Sequence, residues 1–141
     1  PITNENELEE IQSVINDPLF TGAAEHIQSA VRLLADRNNP EPRNSIKESI
    51  SAVESVARLV SQNTKATLGD ALKTIDRVHK LHPAFKEGLS KIYGYTNDDG
   101  GIRHSLLEDT TNPSLVEARF FLVSCSAFCN YLKSFSSIEK I

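Results

Sequence analysis

Ile46, Ile50, Val53, Val56 and Val60 recur at spacings of four, three, three and four. That is the period of one face of an α-helix, and it cannot sit on one side of a strand. No other stretch alternates apolar and polar residues long enough to make a half-buried strand. The chain therefore reads as all-α. The stripe belongs to a predicted helix over 44–62, capped by Asn44 or Ser45.

The neighbouring segments keep the same rhythm. Residues 4–16 place Leu8, Ile11 and Ile15 on one side and crowd Glu5, Glu7, Glu9 and Glu10 into the first turns. Acids there suit the positive end of a helix dipole, and Asp17-Pro18 ends the helix. Ile27, Ala30, Val31 and Leu34 mark a second helix over 22–36, followed by a turn with Pro40 and Pro42. Thr67 and Asp70 have the spacing of a capping box ahead of Leu68, Leu72 and Ile75. Pro83 opens a further helix toward Tyr93, with Phe85, Leu89 and Ile92 in register. Asn112 or Ser114 opens the last one, which runs to Lys133 and is apolar on nearly every side. Such a helix belongs at the centre of a bundle. Five or six helices are expected in all.

With 141 residues, 39% hydrophobic and 24% charged, the chain can bury one core and is not a disordered tract. No uninterrupted run of ~18 apolar residues occurs, so no membrane span is expected. No basic, apolar leader opens the chain. Cys125 and Cys129 are too few for a disulfide framework, which points to a reducing cytoplasm. The chain starts at Pro1 and contains no Met, from which we expect a domain of a longer protein.

Charge divides unevenly along the chain. Residues 1–42 hold eight acids and two bases, whereas residues 43–91 hold five acids and nine bases. A cationic middle can meet phosphate. Acids three or four residues away, Asp70 for Lys73 and Asp76 for Lys80, offer local pairing instead. No long basic tract is present, which disfavours a reader of duplex DNA.

The one glycine-rich stretch contains Gly100-Gly101-Ile102-Arg103-His104. Paired glycines let a ligand approach the backbone closely. Arg presents a planar, permanently charged fork to phosphate oxygens, and His transfers protons near neutrality. RNA cleavage needs a base for the 2′-hydroxyl, an acid for the leaving oxygen and a cation on the phosphate, and this pair supplies part of that set. The plainer reading is a loop whose Arg103 pairs with Asp98 or Asp99 and whose His104 is a polar cap. Glu48 and Glu54 lie off the Ile/Val stripe, on a solvated face from which either reaches Arg103 if the helix packs beside the loop. His79, His82 and Arg77 read as surface residues, without the further ligands a metal requires. Cys125 and Cys129, one helical turn apart, read as buried apolar thiols. No P-loop, dinucleotide fingerprint, His-Glu-x-x-His or Gly-x-Ser-x-Gly motif occurs, and no cofactor or metal is expected.

Several blocks, in order, resemble bacterial abortive-infection C-terminal domains of the HEPN superfamily. They are residues 43–54, Thr67-Leu68-Gly69-Asp70-Ala71-Leu72, His82-Pro83-Ala84-Phe85-Lys86, residues 89–96, Asp99 to His104, and residues 117–128. The resemblance covers roughly residues 22–133. It implies a compact all-α bundle over 21–141, with residues 1–20 as an N-terminal arm or first helix. It also implies a homodimer with RNA or phosphate held in a dimeric cleft, and metal-independent RNA cleavage in a phage-defence setting. Arg103 matches the family's motif Arg and His104 the polar residue after it. Gly100 and Gly101 would line the site, and Glu48 or Glu54 would orient it. The later motif His is replaced by Glu108, Asp109 or Thr110. The alternative is a non-catalytic dimerisation or phage-sensing module whose toxic activity lies in other domains of the parent protein.

Overall fold

The Ile/Val stripe is buried along its whole length. In a computed structural model, which describes residues 4–93 and 114–136, Ile46, Ile50, Val53 and Val56 are fully buried and Val60 nearly so. Their helix packs on one side against the second helix, on another against the last, and at its far end against the fourth. Among the described residues there are six helices and no strand: α1 Glu5–Ile15, α2 Thr21–Ala35, α3 Pro42–Ser61, α4 Leu68–Val78, α5 Pro83–Tyr93 and α6 Leu115–Lys133. The architecture is an all-α bundle.

Helix ends follow local chemistry. Asn4 caps α1, its Oδ1 accepting from the N–H groups of Asn6 and Glu7. Thr67 with Asp70, and Ser114 with Glu117, form complete capping boxes at α4 and α6. Helix α3 begins earlier than its sequence suggests, at Pro42, and its cap residue Glu41 makes no side-chain cap bond. Pro at the first helical position has a preset φ and no N–H to orphan, so it starts the helix ahead of the two polar candidates. Asn44 instead donates to Glu41 (2.7 Å), and Ser45 is buried, donating to the Ala30 carbonyl of α2 (2.9 Å). Gly22 sits where α2 crosses α3: a Cβ there would lie 2.6 Å from Ser55 Oγ.

Helices α1 and α2 join the same core through Ile11, Val14, Phe20, Ala23, Ile27 and Ala30. Val14 is fully buried, while Leu8, expected inside, is 40% exposed. Helix α6 contacts α1, α2 and α3. Its buried side runs from Ala118 to Lys133, but Leu115, Val116 and Phe120 are half or more exposed. The helix is thus apolar all round without being buried all round. At 19 residues and a mean hydropathy of 1.2, it is long and apolar enough by length and composition to cross a bilayer. Glu117, Arg119 and Asn130 interrupt the apolar run, which is why a search for an unbroken one passes it over. Helix α5 has no buried residue, and Phe85 and Ile92, expected inside, are 48% and 39% exposed. It is held through ring contacts to α6: Tyr93 to Phe128 at 4.7 Å and Phe85 to Tyr131 at 6.2 Å between centroids.

Candidate functional site

Gly100, Gly101, Arg103 and His104 lie outside the described residues. Glu48 is half-buried on α3, with Oε1 3.4 Å from Nδ1 of His26 on α2. Glu54 is half-buried on α3. An offset of six residues puts the two carboxylates about 120° apart around the helix, so they do not share a face. The Glu48–His26 pair joins residues 22 apart in sequence across the α2–α3 seam. Neither residue's own neighbourhood in the sequence signals it, because it depends on how the two helices cross.

The cationic segment is organised by α4 and the turn after it. Asp76 accepts from the Leu81 N–H (2.8 Å) and pairs with Lys86 (3.4 Å). The Leu81 N–H first, then Lys86 and Lys80, hold its carboxyl below the usual range. The expected partner at the helical spacing, Lys80, contributes only its charge, because α4 stops at Val78 and Lys80 falls beyond its end. For the same reason His79 and His82 do not share a helix face. His79 packs its ring on Phe135 at 5.4 Å, and His82 Nδ1 accepts the Ala84 N–H at the start of α5. Lys91 pairs with Glu87. Asp70 is held low by the Thr67 backbone and hydroxyl, with Lys73 adding a smaller share.

Two further places bear on chemistry. Cys125 and Cys129 are fully buried free thiols. Burial pushes both upward, Cys129 to about 12, so neither presents a thiolate at neutral pH. Among the described residues, no three His, Cys, Asp or Glu side chains gather as a metal site. Then, between the start of α1, the end of α2 and the first half of α6, an apolar cleft of about 1080 Å³ opens. Leu8, Val31, Leu34, Val116, Phe120 and Val123 line it, and the Glu7–Arg119 ion pair (3.2 Å) sits at its edge. Its signal in the sequence is the surplus of apolar residues on α6, more than one face of a core helix needs.

No family model, curated protein or solved structure matches the chain.

Proposed function

We propose that the chain is a HEPN-like domain of a bacterial phage-defence protein, cytoplasmic and homodimeric, that binds RNA or another phosphate-bearing ligand. In this reading Arg103 holds a phosphate and His104 moves a proton or also ligates it. Gly100 and Gly101 admit the backbone, and metal-independent cleavage follows where the acid–base set is complete. The observation that carries the reading is the charge of the middle helices. Residues 43–91 have nine bases against five acids, and in α4 Arg77 stays exposed with no ion pair or side-chain hydrogen bond to another described residue. Phosphate contacts of this kind supply affinity without sequence preference.

The test is incubation of the purified chain with labelled single-stranded RNA in the presence of a chelator. Arg103→Ala and His104→Ala are expected to abolish cleavage, or to weaken binding at least tenfold, with the helical circular-dichroism spectrum retained. Cleavage and binding indifferent to both changes would remove this site.

The apolar cleft favours a second reading, a non-catalytic module that docks another domain or a phage product. Exposed Val116 and Phe120 beside Leu8 form the kind of apolar surface that marks an interaction site. An inert RNA assay together with a dimer in light scattering would favour it.

A further inference from the structure

We propose that the face formed by α4, α5 and the C-terminal end of α6 is a stacking surface for single-stranded nucleic acid. The inference rests on the RNA-binding reading and gives the bases a place to lie.

A connected series of rings crosses this face. His79 meets Phe135 at 5.4 Å, Phe135 meets Tyr131 at 5.1 Å, and Tyr131 meets Phe85 at 6.2 Å and Phe128 at 5.9 Å. Phe128 in turn meets Tyr93 at 4.7 Å. The inner members are anchored, since Phe128 is only 5% exposed. The outer members are open: Phe85 is 48% exposed, and His79 is exposed as well. Phe85 and Phe135 both stand edge-on to Tyr131, at 86° and 74°. Such contacts hold ring planes in place before any ligand arrives, which lowers the ordering cost of binding.

The charge around the rings has the matching sign. Residues 76–91 carry Arg77, Lys80, Lys86 and Lys91 against two acids, Asp76 and Glu87. Lys86 and Lys91 are held by Asp76 and Glu87, while Arg77, two residues before the His79 ring, has no partner among the described residues. Rings whose faces take any base, beside cations that track a backbone, are what sequence-tolerant single-strand binding requires. Phe85 and His79 lie at the outer edge of the cluster, open to solvent. The apolar cleft at the other end of α6 is lined by one aromatic residue, Phe120, among aliphatic ones; of its two cations, Arg119 is paired with Glu7 and Arg37 is exposed at the edge.

The test uses the full chain and a fluorescein-labelled uridine oligonucleotide of about 15 nucleotides, its deoxy counterpart and a duplex RNA of the same length, read by fluorescence anisotropy. The single strand is expected to bind more tightly than the duplex. Phe85→Ala is expected to weaken single-strand binding about tenfold, and Phe85→Tyr to restore it. Arg77→Gln is expected to lower the slope of log Kd against log salt by about 0.7. Phe85→Leu keeps apolar bulk and removes the ring, so it serves if the alanine variant loses helicity. Equal binding of the deoxy strand identifies the ligand as any single strand, and preference for the ribose strand identifies it as RNA; both support the surface. Single-strand binding that survives Phe85→Leu and Arg77→Gln unchanged but falls in Arg103→Ala overturns this inference and leaves the RNA reading standing. A wild-type chain that binds neither single strand nor duplex overturns both.

Discussion

The two ends of α6 are built from the same kind of residue and end up in different circumstances. At the C-terminal end, Leu132 is fully buried and Lys133 is 5% exposed. The Lys133 ammonium lies 2.8 Å from Asp17 in the α1–α2 turn and 5.5 Å above the Phe20 ring. At the N-terminal end, Leu115, Val116 and Phe120 face the cleft or solvent. A buried cation needs a close partner, so the chain spends its order there, and the far end is left with apolar surface to spare. Hydrophobicity along a helix therefore does not mark which part of it is core. The partner helices decide that.

The largest expected effect breaks the ordered end. Lys133→Ala leaves the Asp17 carboxylate with only the Leu19 N–H and empties the space over Phe20, and should cost about 3 kcal/mol in urea unfolding. A cost under about 1 kcal/mol would mean that the pair does not hold α6 to the α1–α2 turn. Ser114→Ala at the open end removes one half of the α6 capping box and should cost about 1 kcal/mol. Phe120→Ser in the cleft should change stability by less than about 0.5 kcal/mol, because the ring is already 56% exposed. A larger loss there would mean that the cleft is covered in solution.

Acid titration sharpens the same comparison. At Asp17, burial raises the carboxyl, but the Lys133 and Leu19 hydrogen bonds and the Lys133 charge together outweigh it, so its pKa is lowered in the folded chain. A carboxyl depressed on folding contributes stability above its unfolded pKa, near 4, and loses it as pH falls through the folded value. Asp70, Asp76 and Glu117 are depressed as well, chiefly by backbone N–H groups. Stability should therefore fall as pH drops below about 4. The fall should be shallower in Lys133→Ala, where the Lys133 part of the Asp17 share is gone. Identical acid limbs for the two chains would assign the loss to Asp70, Asp76 and Glu117 alone.

Much of the backbone was legible in the sequence. The α3 stripe, the Thr67–Asp70 and Ser114 helix starts, the Asp17-Pro18 stop and the Pro83 start depend on residues a few positions apart, where local chemistry decides. What was not legible depends on how helices meet. Lys133 and Asp17 are 116 positions apart, and His26 finds Glu48 only through the α2–α3 crossing. The outward first turns of α6 and the exposed side of α5 follow from what packs against them, which periodicity does not contain. The early start of α3 is a contest between two local rules, Pro at the first position and a polar cap, which the sequence poses without deciding. Of the candidate site, Glu48 and Glu54 could be placed on α3, but the His26 partner of Glu48 comes from α2 and could not be read.

Nucleic acid is proposed for the aromatic, cationic end of the molecule, and other partners for the apolar cleft. Backbone hydrogen exchange of the full chain, with and without a saturating single-stranded RNA, tests this most directly. We expect slowed exchange in α4, in α5 and around Tyr131 to Ser136, with Leu8, Val31 to Ala35 and Leu115 to Phe120 unchanged. Slowing confined to the cleft residues, with α4 and α5 untouched, would contradict it.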